Sequence, residues 1–275
     1  MLPALLIYLV FFITPTIMSF FFSFTRWTLF DWWFIGFDNF VAFFQSSYLR
    51  IGLRNSLIYA VLTSGLKIIF GFLLAVFLCS GIKTQNYLRV VIFFPAVIST
   101  VAVGVIFKSL MNPTWGPINQ ALGAIGINGP SWLGDPHLAL FSVIFVDVWK
   151  GVGVAMVIYI AGLMSIPNQY YEACEIDGGG SLQKFFHITL PLVRPAMNVV
   201  IILSFAGGLK TFDMIWAMTG GGPGFASDVL ASVIYKQYTS GFFGLATAGN
   251  VVLFILISIL VFPLYKFLIR GEVEY

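Results

Sequence analysis

Apolar residues run along this chain in six long blocks, each of roughly the 20 residues a helix needs to cross a bilayer. The blocks are Leu2–Phe24, Ser56–Ser80, Leu88–Met111, Leu138–Met164, Leu192–Met218 and Gly249–Ile269. Polar residues gather between them, and the connections alternate in length. Those after blocks one, three and five are long and rich in Gly, Pro and Trp. Block two is followed by a tight turn and block four by a polar stretch. Hydrocarbon offers no partner to an unpaired backbone group, so the blocks predict spanning α-helices. The expected fold class is all-α: a polytopic membrane protein with six transmembrane helices, one transmembrane domain over residues 1–275 and no appended soluble module. A chain so built has no room for an ATPase of its own.

Composition strengthens this reading. Hydrophobic residues make up 59% of the chain and charged residues 9%, against about 25% charged in soluble domains. Mean hydropathy is +0.97. The formal charge of +3 is spread thinly and points to no nucleic-acid partner. Cys79 and Cys174 make no disulfide framework and read as reduced. The first apolar run continues to Phe24, too long for a signal-peptide core, and no A-x-A site precedes Arg26. An uncleaved first span is expected, and the lack of basic residues before it leaves open a start further upstream. Lys83, Arg89, Lys184, Arg194, Lys266 and Arg270 fall on one side of the membrane. Arg26, Arg50, Arg54, Lys108 and Lys236 fall on the other. The first set lies in shorter connections and close to helix ends, where the positive-inside rule counts most. Both termini are therefore expected in the cytoplasm, with Trp27, Trp32 and Trp33 as an outer aromatic belt.

The polar stretch from Ser165 to Pro191, SIPNQYYEACEIDGGGSLQKFFHITLP, holds three of the eleven acidic residues. Pro167 suits a first helical turn, Asn168 to Ile176 reads as a short helix, and Gly178 stands where a terminating glycine is expected. Ser181 is expected to cap a second short helix running through His187. A generic surface connection would need no more than this to satisfy its own helix ends. The string Glu172-Ala173, Asp177-Gly178, Ile188-x-Leu190-Pro191 resembles the EAA motif of ABC importer permeases. Cys174 stands where that motif usually has a second Ala, and Gly179 where Ala is frequent. Further stretches resemble the permeases of the maltose and glycerol-3-phosphate type: FIGFDNF (Phe34–Phe40), LRNSL (Leu53–Leu57), FFPAVIS (Phe93–Ser99), NPTWGPIN (Asn112–Asn119) and TGGGPG (Thr219–Gly224). The last is similar to the first of the two permease subunits that such systems encode.

The resemblance implies a type I ABC importer permease in a bacterial or archaeal cell membrane. Its implied partners are a second homologous permease, two ATPase subunits and an extracytoplasmic solute-binding protein. It implies no cofactor in this chain, because ATP and Mg²⁺ are bound by the ATPases. The loop at about 165–190 would couple to an ATPase through Glu172, Ala173, Asp177 and Gly178. The outer connections Trp27–Asn55, Asn112–His137 and Gly220–Thr247 would meet the binding protein. The implied substrate is a sugar or sugar derivative.

Lys67, Asp147, Lys150, Lys210 and Asp213 lie within predicted spans, where each charge costs roughly 2.5–3.5 kcal/mol on insertion scales. Aligned on Trp149-x-Gly151 and on Phe212, the resemblance places Asp147, Lys150, Gly151, Gly207, Gly208 and Thr211 along the substrate pathway. The same spacing serves equally for i,i+3 ion pairs, Asp147 with Lys150 and Lys210 with Asp213, that only ease insertion. Lys67 has no acid nearby in sequence and is expected to face a structural partner in the bundle. Buried charges could also serve an ion-driven secondary transporter, although no inverted repeat is visible. The absence of HExxH, GxSxG and P-loop motifs leaves little basis for an intrinsic enzyme.

Overall fold

The computed structural model describes residues 2–28 and 30–270. The chain folds as an all-α polytopic bundle with one small hairpin. Helix α1 (Pro3–Phe22) leads into strands β1 (Thr25–Trp27) and β2 (Trp32–Phe34), paired antiparallel with Arg26 opposite Trp33. Helices α2 (Asp38–Gln45) and α3 (Ser47–Leu78) follow, then α4 (Gln85–Val97), α5 (Thr100–Leu110) and α6 (Pro117–Ala124). The second half holds α7 (Ala139–Met164), α8 (Asn168–Ile176), α9 (Ser181–Leu192) and α10 (Arg194–Leu209). It ends with α11 (Asp213–Met218), α12 (Leu230–Thr239) and α13 (Phe243–Ile269).

Among the described residues four helices, α1, α3, α7 and α13, are each long and apolar enough to cross a membrane. The remaining two expected spans are bent. Block three is α4 and α5, meeting at 96°. Pro95 lies in the last turn of α4, and Ile98 and Ser99 take extended backbone between the helices. Block five is also not one helix. Its start bends by 59° where α9 meets α10, with Pro195 in the first turn of α10. A proline there removes a backbone donor and crowds the preceding turn. Its end breaks at Lys210–Phe212, and Asp213 to Met218 forms the separate α11. The second span starts earlier than its apolar block, at Ser47, because no breaker separates Arg50 and Arg54 from it.

Helix α3 is the axis of the bundle, with α7 along one side and α10 along another. Small residues bring these backbones close, the usual means of packing helices where lipid gives no hydrophobic drive. A Cβ on Gly71 of α3 would lie 2.7 Å from Ala155 Cβ of α7, one on Gly208 of α10 would lie 2.7 Å from Ala60 Cα of α3, and one on Gly153 of α7 would meet the Ile92 carbonyl of α4 at 2.5 Å. Tyr59, Val143, Ile144, Met214 and Ile215 share one apolar cluster. Ala75, Met156, Tyr159 and Val200 share a second. By contrast, α1 buries none of its residues against the rest of the chain. Its end is held by the hairpin, where Phe22 stacks on Trp27 at 4.3 Å and Arg26 sits over the Trp33 ring.

The TGGGPG turn after α11 is pinned to the start of α3. Asn55 donates to the carbonyls of Ala226 and Asp228, and Ser56 Oγ accepts from the Leu230 amide. The Asp228 carboxylate is buried, receiving Ser232 Oγ and Lys236 Nζ, both at 2.6 Å. Burial pushes the Asp228 carboxyl above the usual carboxylate range, against the pull of those two donors. Gly221, at φ +88°, has no room for a side chain, since its Cβ would lie 1.9 Å from Asp228 Oδ1.

Candidate functional site

The first candidate region is the loop between α7 and α10. Helix α8 starts one residue after Pro167, which occupies the position before the helix rather than its first turn. It ends in a Schellman arrangement: Gly178 N–H donates to the Glu175 carbonyl at 3.0 Å, and Gly179 N–H to the Cys174 carbonyl at 2.7 Å. Gly178 adopts φ +79°, the left-handed region that a β-carbon disfavours. None of the described residues lies within 4 Å of where its Cβ would be, so among them only the backbone conformation demands glycine. Gly180 rather than Ser181 precedes the second helix, and its N–H is received by Gln183 Oε1 at 3.0 Å. Glycine is among the residues that accept this position. Helix α9 then runs through a π-type turn, Phe185–Thr189, toward α10.

The loop is fastened from behind and open in front. Tyr171 Oη and Thr189 Oγ1 are 3.0 Å apart, Phe185 packs on Phe72 of α3, and Lys184 pairs with Glu175. Glu172, Ala173, Asp177 and Gly178 all face solvent. So do two large aliphatic side chains, Ile176 at 86% and Leu182 at 75% exposure. Glu172 has no ion-pair partner among the described residues.

The second region lies inside the bundle. Lys67 of α3 pairs with Asp147 of α7 at 2.7 Å, with side chains only 13% and 19% exposed. Gly151, one turn beyond Asp147, makes room for this crossing: a Cβ there would lie 2.6 Å from Lys67 Cε. The Tyr59 hydroxyl is buried, with Asp147 and Thr211 beside it. Thr211 stands in the break between α10 and α11, so that break brings a third element to the cluster. Asp147, Gly151 and Thr211 are thus brought together around Lys67 and Tyr59. Lys150 turns away, with Nζ 3.4 Å from the Ala96 carbonyl. Gly208 is spent on the contact with α3, and Gly207 faces open space.

Neither i,i+3 ion pair forms. Asp147 chooses Lys67, and Lys210 and Asp213 make no pair among the described residues. The expected bundle partner of Lys67 therefore exists, 80 residues further along the chain. Tyr59 was not singled out in the sequence, where it is one aromatic residue in an apolar run.

Residues 67–272, from that same lysine to just beyond α13, match the binding-protein-dependent transport system inner membrane component family. The chain belongs to this family. As such it is a multi-pass inner-membrane transport component rather than a catalytic domain. It is 35% identical over its whole length to a probable ABC transporter permease protein, YurN, of Bacillus subtilis, covering 96% of that protein. It is 35% identical over 93% of its length to the multiple sugar-binding transport system permease protein MsmF of Streptococcus mutans, covering 89% of it. The trehalose/maltose permease MalF of Thermococcus litoralis is 30% identical over 93% of the chain and 88% of its own length. Among solved structures, a bacterial ABC transporter involved in importing the acidic polysaccharide alginate superposes with a TM-score of 0.86. That likeness, at 25% identity, spans 98% of this chain and 93% of the matched one.

Proposed function

We propose that this permease is one of two homologous membrane subunits of an ATP-driven importer for a sugar or sugar derivative, with both termini in the cytoplasm. The observation that carries the coupling half of this reading is the exposed surface of α8 and the start of α9. Ile176 and Leu182 are exposed apolar side chains beside an unpaired Glu172 on a loop braced from behind. Such a surface suits a cleft in a cytoplasmic ATPase, with Glu172 as an ionic anchor and Ala173, Asp177 and Gly178 at the contact. Two ATPase subunits would bind the ATP and Mg²⁺, and an extracytoplasmic solute-binding protein would deliver the solute to the opposite side.

The pathway half rests on the buried Tyr59 hydroxyl. A buried phenol hydroxyl beside a carboxylate and Thr211, with an ammonium paired to that carboxylate, suits a ligand rich in hydroxyl groups. Asp147, Gly151 and Thr211 form this part of the path. Lys150, Gly207 and Gly208 border it, Gly207 with free space in front of it. The sugar class is favoured because relatives over nearly the whole chain carry sugars by name.

The test is uptake by the complete complex in liposomes, with ATP and Mg²⁺ on the ATPase side and binding protein on the other. Labelled maltose, trehalose and raffinose are offered in turn. Accumulation of one of them that requires ATP and survives collapse of the proton gradient is expected. Uptake that follows an ion gradient without ATP would overturn the proposal in favour of a secondary transporter.

A further inference from the structure

On the side of the bundle opposite α8, four aromatic rings surround a recess of about 320 Å³. Trp27 of β1, Phe212 from the helix break, and Tyr235 and Tyr238 of α12 form its walls, with Thr247 and Asn250 of α13. The volume lies near the lower end of small-molecule pockets, roughly 300 Å³, and suits one ring rather than a chain. Resting on the reading of the solute as a sugar, we propose that this recess is an outer subsite. It would hold one pyranose or furanose ring before the solute reaches the Tyr59–Asp147 cluster.

The rings are fixed by one another rather than left to move. Tyr235 packs against Phe212 at 5.1 Å and against Trp216 at 4.8 Å. Phe212 stacks on Trp216 at 5.7 Å. Trp27 is held between Phe22 and Phe243. Rigid aromatic faces of this kind offer contact area at little cost in side-chain order and accept the apolar C–H face of a sugar ring. An aromatic belt at a membrane surface would also place such residues here. A belt, however, needs no cavity, whereas these rings converge on one.

Polar groups at the same recess supply the edges of the site. Asn250 is an exposed amide on a helix otherwise rich in Leu, Ile, Val and Phe, and its side chain makes no hydrogen bond among the described residues. A polar side chain on a spanning helix is expected to face a cavity or a partner rather than lipid. The hydroxyls of Tyr235 and Tyr238 have no hydrogen-bond partner among the described residues either. Thr247 Oγ1 donates to the Gly244 carbonyl at 2.8 Å and keeps its acceptor sites open. Donors and acceptors around aromatic walls are the chemistry of a hydroxyl-bearing ring.

The position of the recess gives it a role. Phe212 borders the recess while the adjacent Thr211 stands beside Tyr59. One short break in the helix therefore touches both the recess and the inner cluster. A shift of that break is a direct physical link between an outer and an inner station.

The test uses the complete purified complex in detergent and whichever of maltose, trehalose and raffinose the wild type accumulates. Binding of that tritiated sugar is measured by equilibrium dialysis on wild type, Tyr235→Ala, Tyr235→Phe and Asn250→Leu. Loss of the ring should weaken binding roughly three- to tenfold, the scale of one aromatic contact. Asn250→Leu should weaken it as well, and Tyr235→Phe should bind more tightly than Tyr235→Ala. Binding unchanged in Tyr235→Ala, or no binding by a wild type that does transport the sugar, would overturn the subsite. So would loss of the second permease from the Tyr235→Ala complex, which would assign the rings to a subunit contact. A wild type that accumulates none of the three sugars would instead defeat the sugar reading itself, and the subsite with it.

Discussion

Replacing Lys67 with Met keeps the length of the side chain and removes the charge that faces Asp147. The pair spans 2.7 Å between α3 and α7, and both side chains are more than four-fifths buried. Exposed-pair values of less than about 1 kcal/mol therefore do not apply. Stripping one partner from a buried pair costs about 3–5 kcal/mol, because the other charge stays buried without compensation. Replacing both by apolar residues of similar volume is close to neutral. Lys67→Met and Asp147→Leu should each lower the thermal midpoint of the purified complex on the order of 10 °C, using about 2–4 °C per kcal/mol. The double variant should recover most of that loss. Uptake separates structure from pathway: if Asp147 and its neighbours line the path, the double variant regains stability but not sugar transport. A double variant that transports at the wild-type rate would refute the pathway reading and leave the pair as a brace between two helices. Additive losses in the two single variants, with no recovery in the double, would refute the pairing itself.

Gly178→Asp should leave insertion and assembly intact, since Asp is among the few side chains tolerated at positive φ, at a cost of roughly 1–2 kcal/mol. Coupled uptake should nonetheless be abolished, and normal uptake by cells carrying the variant would discount the coupling loop. Gly153→Val should push α4 off α7 at the Ile92 carbonyl and destabilise the complex by about 1–3 kcal/mol, read as a lower melting temperature. For Asp228, burial raises the folded-state carboxyl above its unfolded value, about 3.9. The folded chain then holds that proton more tightly. The group's contribution is most favourable below the unfolded value and declines as pH rises through the folded one. The melting temperature of wild type relative to Asp228→Asn should therefore rise on acidification across that window. A flat or falling difference would contradict the burial argument.

The spans were legible because a hydrophobic window reports what faces lipid, and lipid asks for the same composition along the whole helix. It does not report direction, so the 96° turn after Val97 and the break at Lys210–Phe212 were invisible to it. Pro95 and Pro195 marked the right neighbourhoods, but a proline in a last or first turn is as compatible with a clean end as with a bend. Helix α8 and its glycine could be read closely because capping is local chemistry, although the cap of the next helix fell on Gly180 instead of Ser181. The ion pairs could not be read. The i,i+3 spacing suggested Asp147 with Lys150, whereas the acid reaches across to Lys67, whose path Gly151 leaves clear. Contacts between helices depend on which faces meet, and Tyr59 and the outer aromatic recess became visible only once α3, α12 and α13 were placed.

Affinity purification of the tagged chain from its native membrane in mild detergent, with partners identified by mass, tests the importer assignment most directly. A complex of one copy of this chain, one different permease and two ATPase subunits is the expected result. Recovery of the chain alone, or as a homodimer without an ATPase, would contradict it.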